Sequence, residues 1–161
     1  MEREKVTVLV VEDDRLSAEL IKRLLARADV ADFAVEHVER LAEGLARLAA
    51  PGIDLVLLDL MLPDAEGLEA VRRVCSAHPE VAVVVITALG CDLAVDAIRE
   101  CAQDYLVKGR FSGEELVRAV RFAVERHKVK VRFQGVHAAL RQATQTVSRL
   151  DALEGQVREK K

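Results

Sequence analysis

The run Ile53-Asp-Leu-Val-Leu-Leu-Asp-Leu-Met-Leu-Pro63 constrains the fold of this chain more than any other stretch. Five of the six residues before Asp59 are aliphatic, and a short continuous run of this kind reads as a strand buried on both faces. Pro63 cannot continue a hydrogen-bonded ladder, and Asp64 and Gly67 add turn chemistry. Asp59 is therefore expected at the carboxyl end of a central strand, the edge at which open α/β sheets bind their ligands. Taken alone it reads better as a strand-ending or helix-capping carboxylate. Its company elsewhere in the chain decides the matter.

Four further stretches have strand character. Val6–Val11 is apolar and ends in Glu12-Asp13-Asp14, and Phe33–Val38 is shorter. Val81–Ile86 is strongly β-branched and runs into Thr87, and Asp104–Val107 precedes Lys108-Gly109. Between and after them, apolar residues recur at helical spacing. The sets are Leu16, Leu20, Ile21, Leu24, Leu25; Leu41, Leu45, Leu48; Leu68, Val71, Val74, Cys75; Leu93, Val95, Ala97, Ile98; and Leu116, Val117, Val120, Val124. Asp14 is placed to cap the first helix. Five strand–helix alternations predict an α/β fold: a five-stranded parallel doubly wound sheet, order 2-1-3-4-5, with a C-terminal helical extension. The switch point of that order lies between the first and third strands, which brings Glu12 and Asp13 beside Asp59.

Three carboxylates so close repel one another, so at least one pKa should rise unless a cation binds. Hard oxygen ligands suit Mg²⁺, which keeps waters and takes further ligands from phosphoryl groups. Thr87 and Lys108 end the fourth and fifth strands, so a hydroxyl and an ammonium approach the same edge as donors toward negative charge. The combination reads as phosphoryl transfer to Asp59.

With Leu-Val-Val-Glu12-Asp13-Asp, Leu-Leu-Asp59-Leu-Met-Leu-Pro63-Asp-Ala-Glu-Gly67, Val-Ile-Thr87-Ala88 and Asp-Tyr105-Leu-Val-Lys108, the chain from about Val6 to Arg126 resembles a two-component response regulator receiver domain. The resemblance implies Asp59 as phosphoacceptor, with Glu12, Asp13, Asp59 and the backbone carbonyl of Met61 as Mg²⁺ ligands. It implies Thr87 and Tyr105 as switch residues and Lys108 as the phosphate-pairing base. The donor would be a sensor histidine kinase or a phosphotransfer protein. The surface remodelled by phosphorylation would be that of helix 4, strand 5 and helix 5. The chain would act as a phosphoacceptor with slow self-dephosphorylation, not as an enzyme turning over external substrate. Slowness is expected because Met61 and Leu89, two residues after Asp59 and Thr87, offer no group to orient a water. One departure from the family is Gly109, where a proline usually follows the lysine. The alternative is a receiver-shaped scaffold that acts by protein–protein interaction without being phosphorylated.

Other classes fare worse. A dehalogenase-like phosphatase needs a second Asp where Met61 stands. A dinucleotide site needs glycines where Glu12-Asp13-Asp14 would repel a pyrophosphate. A net charge of −3 gives no case for nucleic acid or anionic membrane as partner, and no apolar run approaches the roughly 18 residues of a membrane span. Cys75, Cys91 and Cys101 lack metal-ligand spacing and read as free buried thiols of a cytoplasmic protein.

Residues 1–126 are assigned to the receiver and 127–161 to a C-terminal helix. In that helix Val129, Phe133, Val136, Leu140, Ala143, Val147, Leu150 and Val157 step by fours and threes, interrupted by Glu154. The 3.5-residue period over about four heptads suggests a coiled coil and a homodimer through this helix. A surface helix packed back on the body is the other reading.

Overall fold

The computed structural model describes residues 2–88 and 90–160; Leu89 and the side chain of Cys91 lie outside the described residues. The elements run β1 (Glu4–Val11), α1 (Arg15–Ala26), β2 (Ala31–Val38), α2 (Leu41–Leu48), β3 (Leu55–Asp59), β4 (Met61–Leu62), β5 (Ala65–Glu66) and α3 (Leu68–Ala77). They continue with β6 (Ala82–Thr87), α4 (Cys91–Glu100), β7 (Asp104–Val107) and α5 (Gly113–Glu159).

The main sheet is parallel throughout, in the order β2-β1-β3-β6-β7. This is the expected 2-1-3-4-5 arrangement, because β4 and β5 form a separate two-stranded antiparallel hairpin. Every residue of β3 and β6 is buried, as strands covered on both faces must be. Side chains alternate between the layers with a period of two. Val6, Val8, Val10, Leu55, Leu57, Val84 and Ile86 pack with Ala18, Ile21 and Leu25 of α1 and Leu116, Val120 and Val124 of α5. Leu9, Val11, Val56, Leu58, Val83 and Val85 pack with Leu41 and Leu48 of α2, Val71 and Val74 of α3, and Ala97 of α4. Each such aliphatic side chain contributes about 1.5–3 kcal/mol of burial, and with aromatics at only 3% of the chain these residues supply most of the core. Gly44 allows α2 to sit close on the sheet: a β-carbon there would lie 3.0 Å from Val11 Cγ2.

The segment after Asp59 folds into the β4–β5 hairpin, turning at Pro63–Asp64, and is closed by the Gly67 amide donating to the Leu60 carbonyl at 2.6 Å. One expectation is corrected. Cys75 and Cys101, expected as free buried thiols, are half-buried and joined as a disulfide. The reason is the packing of α3 beside α4, which brings their C-terminal ends to a Cα–Cα distance of 6.4 Å, within the span a disulfide bridges.

The chain divides into two units, one ending at His127 and the other beginning at Lys128. The second unit is helical from its start through Glu159, and its described residues are all exposed. Among them Val129, Phe133, Val136, Leu140, Val147, Leu150 and Val157 are each more than half exposed. No helix among the described residues is long and apolar enough to cross a membrane.

Candidate metal centre

The register of the sheet assembles the site. Val11 stands level with Leu58, and Asp59 with Ile86, so Glu12 and Asp59 leave neighbouring strands at one level. Thr87 is level with Val107, and Lys108 follows. The helices after β1 and β3 go to opposite faces of the sheet, which leaves the carboxyl ends of these strands open between them.

Glu12, Asp13 and Asp59 each offer a carboxylate oxygen, and these oxygens all lie within 4.8 Å of one another. Glu12 is 1% exposed and Asp59 2%, whereas Asp13 faces solvent. Lys108 reaches into the group, with Nζ 2.8 Å from Asp59 Oδ2 and 2.7 Å from Glu12 Oε2. The contact with Asp59 is an aligned hydrogen bond. The contact with Glu12 Oε2 is an ion pair off the hydrogen-bonding axis, so that buried oxygen has no aligned donor. Glu12 Oε1 accepts from the Asp14 amide at 3.0 Å, and Asp59 Oδ1 from the Met61 amide at 3.1 Å.

Burial pushes the Glu12 carboxyl up to about 7; the Asp59 charge adds to this, while Lys108 and the Asp14 amide oppose it. Burial pulls Lys108 down, but its hydrogen bond to Asp59 and its close approach to the Glu12 carboxylate outweigh burial and hold it above its ordinary value. One carboxyl of the group is thus raised, as expected, but burial is the main cause and the repulsion by Asp59 a smaller one. The ammonium offsets part of the repulsion, and a divalent cation would offset more.

Glu12, Asp13, Asp59, Met61 and Lys108 line one open cleft of about 510 Å³, together with Asp14, Leu62, Pro63, Glu66 and Ala88. Thr87 is fully buried at the end of β6, one residue before the cleft-lining Ala88. Tyr105 is half-buried on β7 and packs against the layer of α2, α3 and α4. Among the described residues there is no cis peptide bond, so Lys108–Gly109 is trans, and the turn is made by Gly109 at φ +74°, a conformation that favours glycine.

Asp14 caps α1, accepting from the Leu16 and Ser17 amides at 3.2 Å each; the Ser17 side-chain bond and these amides hold its carboxyl below its ordinary range. Two positioning contacts have no local sequence signal. His37 Nε2 donates to the Glu12 carbonyl at 2.7 Å while the Glu12 amide donates to the Val38 carbonyl at 3.0 Å, so β2 grips the backbone of Glu12 from both sides. Asp64 accepts from the Leu41 and Ala42 amides at 2.9 Å each. It thereby caps α2, whose own N-cap, Arg40, provides no side-chain bond. Burial opposes the ionised form of Asp64, but the Ala42 and Leu41 amides prevail and its carboxyl is held low.

A sequence model of the response regulator receiver domain matches residues 8–121. The probable transcriptional regulatory protein SilR of Salmonella typhimurium is 36% identical over 120 residues, 74% of this chain and 51% of that protein. The C4-dicarboxylate transport transcriptional regulatory protein DctD of Rhizobium meliloti is 28% identical over 140 residues, 86% of this chain and 30% of that protein. The chain thus spans about half the length of the first relative and less of the second. Among solved structures, a response regulator receiver domain protein from Clostridium thermocellum superposes with a TM-score of 0.67 at 28% identity, covering 77% of this chain and 98% of that one. NtrX from Brucella abortus superposes with a TM-score of 0.70 at 26% identity, covering 82% of this chain and 29% of that one.

Proposed function

The chain belongs to the response regulator receiver domain family, and on that premise we propose that Asp59 accepts a phosphoryl group from the phosphohistidine of a sensor histidine kinase or phosphotransfer protein. The observation that carries the proposal is the convergence of Lys108 on Asp59 and Glu12, at 2.8 and 2.7 Å, in a cluster that also holds Asp13.

The cluster fits Mg²⁺. Its donors are hard carboxylate oxygens, one of them the buried Glu12 Oε2 that lacks an aligned donor, and the cleft leaves room for retained waters. Glu12, Asp13, Asp59 and the backbone carbonyl of Met61 would hold it. When bound, Mg²⁺ supplies positive charge against the carboxylates and against phosphoryl oxygens. An Asp59 carboxylate oxygen forms the new P–O bond as the P–N bond of the donor breaks, and the departing imidazole is protonated from solvent. Lys108 then exchanges its hydrogen bond to Asp59 for one to a phosphoryl oxygen, and Thr87 donates its hydroxyl to another. Movement of Thr87 opens space on the side of the sheet where Tyr105 packs, and Tyr105 follows into it. The face that changes comprises α4, β7 and the start of α5. Output runs to the C-terminal helix, whose exposed apolar stripe associates with a second copy. Leu16 and Leu20, exposed on α1, offer the donor protein an apolar landing next to Asp14.

Incubation with Mg²⁺ and a small-molecule phosphodonor should add one phosphoryl group by intact mass, and Asp59→Asn should abolish the addition while leaving the circular dichroism unchanged. Labelling that persists in the variant would refute Asp59 as acceptor; an unlabelled wild type would favour the scaffold reading. After donor removal the phosphoryl group should persist well beyond seconds, since Met61, half exposed in the cleft, cannot orient a hydrolytic water.

A further inference from the structure

We propose that the C-terminal helix pairs with a second copy of itself in antiparallel orientation, about a two-fold axis between Leu140 and Ala143. The inference rests on the tail being a self-associating helix, as proposed above, and goes beyond it by fixing direction and register.

The starting observation is exposure. Val129, Phe133, Val136, Leu140, Val147, Leu150 and Val157 form one stripe, each between 56% and 69% exposed. With a seven-residue repeat, Phe133, Leu140, Val147 and Glu154 occupy the a positions, and Val129, Val136, Ala143, Leu150 and Val157 the d positions. A stripe this long and uncovered requires an apolar partner.

Charge then selects the direction. Residues 128–141 carry Lys128, Lys130, Arg132 and Arg141 and no carboxylate, while Asp151, Glu154 and Glu159 all lie nearer the far end, interspersed with Arg149, Arg158, Lys160 and Lys161. A parallel copy would bring the cationic halves together at one level and set Glu154 against its own copy inside the seam, where like charges are costly. Reversing the copy sets each carboxylate-free cationic half against the stretch that holds the tail's three carboxylates. In the register where Leu140 faces Ala143, Glu154 faces Val129 of the other copy and lies beside its Lys130. The flanking e positions then pair Lys130 with Asp151, twice by symmetry.

Packing selects the same register. Leu140 against Ala143, Phe133 against Leu150 and Val136 against Val147 set a large residue opposite a small one or match medium sizes. The parallel pairing would instead oppose Phe133 to Phe133 and Ala143 to Ala143, crowding one layer and hollowing another.

Sedimentation equilibrium of the full chain tests the inference. The wild type should be dimeric, and Leu140→Asp should make it monomeric. Asp151→Lys alone and Lys130→Glu alone should each weaken the dimer roughly tenfold, because two symmetry-related pairs turn from attraction to repulsion. The double variant Lys130→Glu/Asp151→Lys should return to near the wild-type constant. In a parallel dimer Asp151 would face Thr146, so Asp151→Lys would do little and the double variant would not be rescued. That outcome in a dimer broken by Leu140→Asp overturns the direction alone. A wild type that stays monomeric, or a dimer indifferent to Leu140→Asp, overturns both the direction and the self-association reading, and assigns the stripe to another protein.

Discussion

Glu12 joins the proposed metal centre to the pH scale. Its folded-state carboxyl titrates near 7, above its ordinary 4.5, so between these values the folded protein binds more protons than the unfolded chain. Its contribution to the stability of the metal-free protein is therefore fully present below about 4.5 and is lost as pH rises through about 7, a cost of a few kcal/mol. Asp14, Glu36, Asp64 and Glu100 are held low and act in the opposite sense at more acidic pH, which leaves the window between to Glu12. Thermal melts of the metal-free protein should show Glu12→Gln gaining on the wild type from about pH 5.5 to about pH 8. Added Mg²⁺ should stabilise the wild type increasingly over the same range, because it competes with the Glu12 proton, and should stabilise the Gln variant far less. A pH-independent Mg²⁺ effect would remove Glu12 from the ligand set. Of the two proposed switch residues, Tyr105 is the one tyrosine of a chain without tryptophan, so intrinsic fluorescence reports on it directly. Beryllofluoride with Mg²⁺ should alter that signal. Thr87→Ala should remove most of the change while leaving phosphoryl labelling of Asp59 in place, and an undiminished change would break the proposed link between the two residues.

The disulfide between Cys75 and Cys101 ties the end of α3 to the end of α4 across 26 residues of sequence. Closing a loop of that length is worth about 3–4 kcal/mol on the chain-entropy account. Urea unfolding with and without reductant should differ by that order, and Cys101→Ser should match the reduced wild type; equal midpoints, or two free thiols by alkylation and mass, would contradict the bond. The same element shows where sequence reading runs out. Burial of β3 was legible because five aliphatics in six positions leave a strand no polar face, and the acidic edge because Glu12, Asp59, Thr87 and Lys108 each end a strand. The disulfide was not, since the spacing of Cys75 and Cys101 carries no motif and only the packing of α3 on α4 brings them together. The bonds from Leu41 and Ala42 to Asp64, and from His37 to the Glu12 carbonyl, were hidden for the same reason: they join segments 22–25 residues apart. The β4–β5 hairpin is two residues per strand, too short for alternation to register against the turn signals of Pro63 and Gly67.

The whole chain combines two kinds of stability. Up to His127 the helices are held by a core of buried aliphatics. From Lys128 onward every described residue is exposed, and Gly135 and Gly155 weaken the helix further, by about 1 kcal/mol each relative to Ala. Helices that bury nothing are marginal in water, because nucleation is costly and propagation barely favourable. The tail's order must therefore come from whatever covers its stripe, and if that is a second copy, order in the tail follows protein concentration by mass action. Hydrogen exchange read by mass spectrometry across a dilution series makes the distinction. Peptides from residues 2–127 should keep constant protection, while those from 128–160 should lose theirs as the protein is diluted below the dimer constant, in step with sedimentation. Leu140→Asp should show the unprotected pattern at every concentration. Protection of 128–160 that survives dilution would mean that the stripe is covered within the chain, and the tail would then stabilise its own receiver instead of a neighbour.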